Sequence, residues 1–410
     1  MSVTRAVSVT RAGRSTGPGH GPLKVDFAIV GAGCAGLSLA AHLAITAPGR
    51  SIAVVDPRTT FARDRTWCYW NVHDHLFSGA ATHRWARWRV ATSEADVVGG
   101  SSRYAYHHLP ADAFYRAALA LLEPAPHVTL MLGERVTHVG DAGDAVLLAT
   151  TRRRIRAGVV LDSRALPPPE PAAGDTTAVR LVQHFGGAFV RAGRPVFDPT
   201  TAMLMDFRRG GGDATIAFTY LLPFNTHEAL VESTVIGEHA PAAGEHERRV
   251  GEYLARVYPG TRFATLATEH GAIPMSTAAV RRRRSERVYA IGVGGGLVKP
   301  STGYAFLAIQ RDSAEFARRL AGAALPEAPT VRGARATFLD QVFLSYLRRH
   351  PERAPALFAR LFASADGDAI VRFLSDTPTF TDQLRVAGAL PFWPFAAEAV
   401  RSRRLWLPRS

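Results

Sequence analysis

Three glycines near the start of the chain have the spacing of a phosphate-binding turn. Gly31, Gly33 and Gly36 follow the apolar residues 27–30, and an alanine- and leucine-rich stretch continues after them. In a strand–turn–helix unit the first glycine permits the tight turn and the second lets the backbone approach a pyrophosphate. The third lets the helix pack closely on the strand. The pattern therefore predicts a dinucleotide site.

An acidic residue at the expected distance supports this interpretation. Residues 51–55 are typical of a second strand, which ends at Asp56, about 20 residues past the last glycine, where a carboxylate is expected to bind a ribose hydroxyl. Asp162 follows another apolar run and is a second candidate cofactor contact. The alternative, a glycine-rich surface loop, does not explain both flanking strands and Asp56.

A second glycine-rich unit lies near residue 290. Residues 288–291 form an apolar run that leads into Gly292–Gly296, followed by Pro300–Tyr304 and a predicted helix over 305–320. Two such units on either side of a β insert indicate FAD rather than NAD. The residues predicted to contact FAD are Gly31, Gly33, Cys34, Ala35, Gly36, Asp56, Arg65, Trp67, Val136, Asp162, Gly294, Gly295, Gly296, Thr302, Gly303 and Tyr304.

The loop of residues 64–70 combines aromatic and polar residues. Aromatic side chains beside a nucleotide site can form the wall of a pocket for a ring. They can equally form a local hydrophobic plug, and the sequence alone does not separate the two interpretations.

The strongest candidate for acid chemistry is Glu232. It is the only charge in the apolar run 229–236, where alternation puts it on the same strand face as Leu230, Thr234 and Ile236. An ionised carboxylate is costly to bury, so Glu232 should be either paired or protonated. A protonated carboxyl in an apolar chamber is a general acid, whereas a paired one is a structural ion pair.

Asp206 is a second buried carboxylate and a second candidate catalytic residue. It lies in the apolar run 203–207, and Arg208 shares its strand face. An ion pair between Asp206 and Arg208 is therefore expected at this position.

The order of these elements predicts an α/β fold. A Rossmann-like FAD-binding domain of the flavin-hydroxylase type is expected from residues 24–165 and 286–325. An antiparallel β domain for the substrate is expected from 166–285, where strand patterns alternate with turns, and a helical region from 326–410. Residues 1–23 contain a short duplication followed by Gly, Ser and Pro, and are expected to be a disordered tail.

Composition excludes several classes of protein. No apolar run is long enough for a membrane helix, the start has no signal-peptide pattern, and two cysteines give neither a disulfide framework nor zinc spacing. The net charge of +14 is explained by binding to nucleic acid, by binding to an anionic lipid surface, or simply by an arginine-rich amino-acid composition without a functional role. No nucleic-acid motif accompanies the charge. We therefore expect a cytoplasmic protein, peripheral to the inner face of the membrane.

Aromatic residues close to a basic tail support that location. Residues 389–395 are rich in aromatic side chains, and arginines follow between residues 401 and 409. Rings at headgroup depth and cations on anionic lipid would suit a bilayer interface. A C-terminal helix packed on the core, followed by a frayed basic tail, is the alternative.

Taken together, the motifs resemble those of the flavin-dependent lycopene cyclases of bacteria and plants, the soluble-fold type. The strand that contains Glu232 and the turn Pro300–Tyr304 are the more specific of them. The matching segments lie between about residues 25 and 400 in the family's order, and they are Gly31–Gly36, Asp64–Trp67, Val160–Arg164, Met205–Phe207, Tyr220–Phe224, Leu230–Thr234, Gly271–Met275, Pro300–Tyr304 and Leu390–Phe395.

The resemblance implies a reaction and its participants. Glu232 would protonate the terminal double bond of lycopene or a related acyclic carotenoid. A neighbouring double bond would then attack the cation, and proton loss would leave a β-type ring without net redox change. Reduced FAD is implied as an electrostatic partner and NAD(P)H as its reductant. Ser233 stands where the family often has a second acidic residue, so Glu232 is the only acid candidate in this motif.

Two other function classes are kept open. One is a flavin monooxygenase or dehydrogenase acting on a lipophilic substrate, although residues 292–294 lack the aspartate of the usual Gly-Asp-Ala of flavin hydroxylases. The other is a non-catalytic carrier of an isoprenoid. The sequence identifies neither the residue that removes the final proton nor the ring type.

Overall fold

The strands and helices are those of a computed structural model, which describes residues 7–8, 21–164, 178–208, 215–322, 324–364 and 366–403. Most of the predicted tail and residues 404–410 of the basic C-terminus lie outside these ranges. In chain order the strands are β1 Val7–Ser8, β2 Leu23–Val30, β3 Ile52–Asp56, β4 Thr60–Phe61, β5 Thr66–Trp70, β6 His83–Trp85, β7 Arg87–Ala91, β8 Asp96–Gly100, β9 Tyr106–Pro110, β10 Val128–Leu132, β11 Val136–Ala142, β12 Ala145–Thr150, β13 Arg154–Asp162, β14 Arg180–Ala192, β15 Thr201–Asp206, β16 Ile216–Pro223, β17 Glu228–Gly237, β18 Phe263–Ser276 and β19 Val288–Ala290.

The helices follow the same order. They are α1 Cys34–Thr46, α2 Ala111–Leu122, α3 Glu245–Val257, α4 Phe306–Leu320, α5 Ala334–Arg349, α6 Ala354–Ser364, α7 Gly367–Leu374, α8 Phe380–Ala389 and α9 Phe392–Arg403. The last five lie in the predicted helical C-terminal region. Pro394 lies in the first turn of α9, where a missing N–H group removes no intrahelical hydrogen bond.

The first sheet carries the glycine turn. Its strand order is β10-β3-β2-β13-β12-β11, and β19 pairs with β13. β10, β3, β2, β13 and β19 pair in parallel. Apolar residues on one face pack against α1, α2 and α4, and those on the other form a cluster with residues of β11 and β12, the antiparallel strands that continue the same sheet beyond β13. A parallel sheet covered on both faces confirms the predicted α/β class. The pairing of β19 with β13 returns the chain to this sheet.

The second sheet carries Glu232 and is mainly antiparallel. Its order is β18-β14-β17-β16-β15-β7-β8. The sequence pattern places residues 87–100 in the FAD-binding domain. In the structure they form β7 and β8 of this second sheet, because β7 pairs in parallel with β15. That pairing joins segments more than 100 residues apart, so no local pattern in the sequence reports it.

Two apolar cores cover the two faces of this sheet. One face meets the three-stranded sheet β5-β9-β6 and helices α5 to α7, and the other is covered by α3. The two faces of the sheet are therefore in contact with different cores. Because side chains alternate along each strand, the position of a residue in its strand decides which core its side chain enters.

Candidate active site

The glycine turn fits the phosphates of a dinucleotide. Gly31 has a φ of 95°, a left-handed conformation that favours glycine, and a Cβ on Gly36 would lie 1.9 Å from the Gly31 carbonyl oxygen. A Cβ on Gly33 would meet nothing within 4 Å. α1 begins beside this open space with no side-chain cap and no acidic residue in its first turn. Its first N–H groups are therefore suited to bind an anion.

The second glycine run lies against the start of α1. Residues 292–295 form a short 3-10 helix, and a Cβ on Gly292 would lie 2.7 Å from the Cβ of Ala35. Gln310 of α4 also reaches α1, since its side-chain nitrogen lies 3.0 Å from the Ser38 hydroxyl oxygen. The fold thus brings together the two glycine-rich units that the sequence predicted to contact the same cofactor.

The turn at Thr302–Tyr304 links this region to the second sheet. Gly303 has a φ of 74°. A Cβ on it would lie 3.2 Å from the side chain of Gln183 on β14 and 3.3 Å from that of Ile273 on β18. The hydroxyl oxygens of Tyr304 and Tyr106 lie 3.4 Å apart. Tyr304 therefore lies between the glycine units and the sheet that carries Glu232.

Asp56 lies next to the glycine turn. Its carboxylate accepts the Ala32 N–H at 2.6 Å and the Arg58 backbone N–H at 2.8 Å. Burial acts to raise its pKa, but the hydrogen bonds and charge of Arg58 and the Ala32 N–H outweigh burial and lower it. Asp56 is therefore ionised beside the turn, but the Arg58 guanidinium also binds both of its oxygens, at 2.9 and 3.0 Å, so the ribose contact stays a prediction. Arg65, another predicted contact, is exposed and pairs with Asp64 at 3.2 Å.

Arginine side chains are the partners of Asp162 in the structure. Both of its oxygens are held by Arg164, at 3.0 and 2.8 Å, and Arg284 lies 3.3 Å from one of them. Arg164 also donates to the Val136 carbonyl at 3.2 Å. These contacts tie β13 to β11 and to the arginine run before β19. They favour a structural role for Asp162, and a cofactor contact there stays a prediction.

Trp67 packs in a plug of aromatic rings. Its ring centroid lies 5.1 Å from that of Phe114 and 5.9 Å from that of Phe306. Of the two interpretations of residues 64–70, the packing of this side chain favours the hydrophobic plug.

Glu232 is buried on the face of β17 that meets the aromatic core. Its side chain is 8% exposed, and Leu230 and Ile236 on the same face belong to that core. The Thr234 hydroxyl donates to one carboxyl oxygen at 3.0 Å. Burial, followed by the negative charge of Glu269, raises the pKa of Glu232 to about 8. Glu232 is thus a protonated carboxyl at neutral pH rather than a member of an ion pair.

Asp206 lies on the other face of the same sheet. It pairs with Thr219 of β16, which pairs with Ser233 of β17, and residues paired in this way share a face. Asp206 binds Arg208 at 2.9 Å and accepts the Tyr253 hydroxyl of α3 at 3.1 Å. The structure therefore does not bring Asp206 together with Glu232, and the expected ion pair with Arg208 is present.

Glu269 is a buried carboxyl that the sequence analysis did not single out. In the register of the sheet, Gly187 of β14 lies opposite both Glu232 and Glu269. Glu269 is 8% exposed and accepts the Thr66 hydroxyl at 2.8 Å. Charged residues are common in exposed edge strands such as β18, so the sequence gives no sign that Glu269 is buried. Only the pairing of β18 with β14 shows that it lies in the same row as Glu232.

Tyr220 links Glu232 to the aromatic residues of the same core. Tyr220 lies opposite Glu232 in the sheet, and its hydroxyl donates to the Tyr106 hydroxyl at 3.0 Å. Burial raises the pKa of Tyr220 well above its usual value, so it stays neutral. The ring-bearing residues of this core, buried or partly buried, include Trp70, Trp85, Trp88, Tyr106, Phe189, Phe207, Phe218, Tyr220, Phe224 and Tyr304. Such a lining is apolar, yet its ring faces can stabilise a cation.

No helix of the described residues combines the length and apolar character needed to cross a bilayer. The last two helices carry several exposed apolar residues. On α8 they are Phe380 and Leu384, and on α9 they include Phe392 and Trp393, which are 71% and 80% exposed.

Solved structures share this fold at low sequence identity. A geranylgeranyl bacteriochlorophyll reductase-like protein from Thermoplasma acidophilum is 13% identical with a TM-score of 0.61, covering 93% of this chain and 100% of its own. A flavoprotein/dehydrogenase from Cytophaga hutchinsonii is 12% identical with a TM-score of 0.61, covering 93% and 99%. The rebeccamycin biosynthetic enzyme RebC, solved with reduced flavin, is 14% identical with a TM-score of 0.55, covering 92% and 76%. These similarities establish the flavoprotein fold.

No curated protein matches the chain in sequence. The family described as "Lycopene cyclase protein", however, matches residues 26–400. Because that match spans nearly the whole sequence, the chain belongs to the lycopene cyclase family.

Proposed function

We propose that this protein is a lycopene β-cyclase, which closes the acyclic end groups of a carotenoid into β-ionone rings without net redox change. The observation that carries the proposal is Glu232, a buried carboxyl with a pKa raised to about 8 in an aromatic core. A carboxyl that stays protonated at neutral pH in an apolar site can donate its proton to a carbon–carbon double bond.

The proposed reaction begins when Glu232 donates its proton to the terminal trisubstituted double bond. The O–H bond of the acid breaks, a C–H bond forms, and a tertiary cation results. The double bond between the fifth and sixth carbons of the end group attacks this cation and closes the ring. Loss of a proton from the ring then restores a neutral hydrocarbon.

The residues around Glu232 support the cationic steps. Aromatic faces such as those of Trp70, Tyr106 and Tyr220 can stabilise positive charge while excluding water that would trap the cation as an alcohol. Thr234 donates a hydrogen bond to one oxygen of Glu232. This contact fixes the orientation of the carboxyl and stabilises the carboxylate that remains after proton donation.

FAD is the cofactor we propose, held by the turn of Gly31, Gly33 and Gly36 and by the glycine run of residues 292–296. When bound in its reduced, anionic form it would supply negative charge that stabilises the cation, with NAD(P)H as the reductant that is not consumed in proportion to product. The open space beside Gly33 and the uncapped start of α1 support the phosphate position.

The test is to express the chain in cells that accumulate lycopene and to identify the pigments. The wild type is expected to form β-rings, and Glu232→Gln is expected to form none while retaining FAD. Full activity of Glu232→Gln would overturn the assignment of the acid.

A redox enzyme on a lipophilic isoprenoid is the second candidate. The fold is compatible with it, because a solved structure titled aklavinone-11 hydroxylase, with FAD and aklavinone, shares the fold at 16% identity and a TM-score of 0.56, covering 74% of this chain and 63% of its own. Such an enzyme would consume NAD(P)H in proportion to product. A cyclase would form product in excess of the NAD(P)H oxidised, so one assay separates the two.

We also propose that the protein contacts an anionic membrane through α8 and α9, where lycopene would be available. Phe392 and Trp393 are exposed, and Arg385 and Arg401 are exposed on the same two helices. Exposed rings and arginines are the combination expected of a surface that rests on headgroups. This contact and the cytoplasmic location belong to the proposal.

A further inference from the structure

The sheet carries a second buried carboxyl on the same face as Glu232. Glu232 of β17 and Glu269 of β18 both lie opposite Gly187 of β14, so the three residues form one row across three strands. Two strand spacings put the Cα atoms of the two glutamates roughly 10 Å apart. Side chains of adjacent paired residues lie on the same face of a sheet, so both carboxyls enter the same core.

Gly187 leaves room on β14 for the side chain of Glu232. A Cβ on Gly187 would lie 3.2 Å from the Cβ and 3.3 Å from the Cγ of Glu232. The space that a side chain on β14 would take is therefore occupied by the side chains of Leu230 and Glu232. With any larger residue at position 187, Glu232 would have to move away.

The surroundings separate the two carboxyls chemically. Glu269 accepts the Thr66 hydroxyl at 2.8 Å, and the charges of Arg63 and His270 act to lower its pKa, although burial raises it overall. Glu232 has the Thr234 hydroxyl and, besides burial, the negative charge of Glu269, which raises its pKa further. Burial thus raises the pKa of both carboxyls, but the Thr66 hydroxyl and the two cationic neighbours favour the ionised form of Glu269, the direction that a base role requires.

We propose that Glu269 is the base that removes the ring proton, a role that rests on the proposed cyclase function. Glu232 gives its proton to the end group, the ring closes, and Glu269 accepts the proton lost from the sixth carbon of the end group. One O–H bond breaks and one forms, one C–H bond forms and one breaks, and no electrons are exchanged with a cofactor. Return of the proton from Glu269 to Glu232 restores the starting charges.

The experiment uses the FAD-loaded, reduced enzyme with lycopene in anionic vesicles, in D2O. Glu269→Gln keeps an oxygen to accept the Thr66 hydroxyl but cannot take a proton. We expect it to bind FAD and unfold at the wild-type temperature, while β-ring formation falls by about 100-fold or more. Because Glu232 still protonates the substrate reversibly, the acyclic lycopene recovered is expected to contain deuterium.

Two further variants test a merely structural role of Glu269. Thr66→Val removes the hydrogen bond but keeps the carboxylate, and ring formation is expected to fall by less than about tenfold, below the loss expected for a missing catalytic base. Glu269→Asp keeps a base and is expected to recover part of the activity lost in Glu269→Gln. If ring formation falls equally in Thr66→Val and Glu269→Gln, the base role is overturned, and Glu269 acts only through its hydrogen bond with Thr66.

Two outcomes contradict the role of Glu269 without touching the proposed function. The first is a Glu269→Gln enzyme that forms β-rings at the wild-type rate. The second is a folded, FAD-loaded Glu269→Gln enzyme that neither forms rings nor exchanges deuterium, since Glu269 would then act before ring closure. The proposed function itself fails if the wild type does not convert lycopene or if Glu232→Gln does.

Discussion

Glu232 and Asp206 are both buried in the same antiparallel sheet, but their side chains lie on opposite faces of it. Glu232 enters the aromatic core, whereas Asp206 binds Arg208 and the Tyr253 hydroxyl of α3. The first carboxyl is protonated at neutral pH and the second is ionised, since burial raises the pKa of Glu232 while hydrogen bonds and charge from Arg208 overcome burial at Asp206. Opposite functions are expected to follow from this difference.

Asp206→Asn is expected to lower stability rather than catalysis. The substitution removes the charge that Arg208 and Tyr253 bind, at a cost of about 2 kcal/mol in the free energy of unfolding. Turnover per FAD-loaded, folded molecule should stay within about twofold of wild type. Denaturant unfolding measures the loss of stability, and the rate of β-ring formation measures turnover. Loss of turnover in Asp206→Asn without loss of stability would support the prediction that Asp206 is catalytic.

The activity should depend on pH through Glu232. The acid must be protonated, so turnover is expected to fall about tenfold for each pH unit above about 8, the pKa of Glu232, whereas protonation of the proposed base Glu269 lowers turnover at acidic pH. The titratable groups facing it are Glu269, Tyr220 and Cys68. Burial raises the pKa of the last two, so neither becomes charged in this range. Initial rates of β-ring formation between pH 6 and 10 provide the measurement, and a rate that rises through pH 8 would contradict the acid role.

The same raised pKa makes a prediction about stability. Glu232 has a pKa of about 8 in the folded chain and an ordinary value of 4.5. The wild type should therefore lose stability relative to Glu232→Gln as the pH rises from 4.5 to 8, by about 1.4 kcal/mol for each pH unit. Denaturant unfolding of both proteins at pH 5 and pH 8 measures this difference. A constant difference would mean that Glu232 is not protonated in the fold.

Gly187→Ala should impair catalysis with little effect on folding. Its Cβ would lie 3.1 to 3.3 Å from Leu230 and Glu232, so these side chains must shift by a few tenths of an ångström. The Glu232 carboxyl then moves away from its position for proton donation to the substrate. Gly186→Ala is the matched control, because its Cβ would meet His246 of α3 at 2.7 Å on the other face. We expect turnover to fall at least tenfold in Gly187→Ala, whereas Gly186→Ala should chiefly lower the melting temperature. The reverse ranking would show that Gly187 does not serve the position of Glu232.

Gly33→Ala tests the cofactor site without disturbing the fold. Its φ of −84° suits alanine and its Cβ meets nothing within 4 Å, so the melting temperature of the cofactor-free protein should not change. The added methyl group would occupy the space proposed for phosphate, and FAD affinity is expected to fall at least tenfold, a loss of about 1.4 kcal/mol or more. In Gly36→Ala, by contrast, the clash with the Gly31 carbonyl should destabilise the fold itself. Wild-type FAD binding by Gly33→Ala would place the phosphates elsewhere.

Membrane contact is expected to depend on the exposed rings of α9. The double substitution Phe392→Ser and Trp393→Ser should reduce co-flotation with anionic vesicles at least tenfold, because both side chains are largely exposed in the free protein. Ile45→Ser, an exposed apolar residue of α1, is the matched control and should float like wild type. Equal flotation of all three proteins would exclude α9 as the contact.

Much of the cofactor half was predictable from the sequence because its signals are local. The spacing of Gly31, Gly33 and Gly36 reflects a turn and a close helix–strand contact within a few residues, and the structure has both. The return of residues 288–290 to the first sheet was likewise visible as a strand running into glycines. The edge strand β18 was missed because most of its side chains are exposed and carry no apolar alternation.

The sequence by itself determined that Glu232 is a lone carboxyl in an apolar strand, but not whether it has a partner. Only the tertiary structure decided that question, because a partner can come from any strand or helix packed on that face. The register of β17, β14 and β18 sets Glu269, and not an arginine, in the same row as Glu232, with Gly187 between them. Asp206, equally buried in an apolar strand, met Arg208 and α3 on the other face. Alternation along one strand is a local property, whereas the neighbours across a sheet depend on long-range pairing.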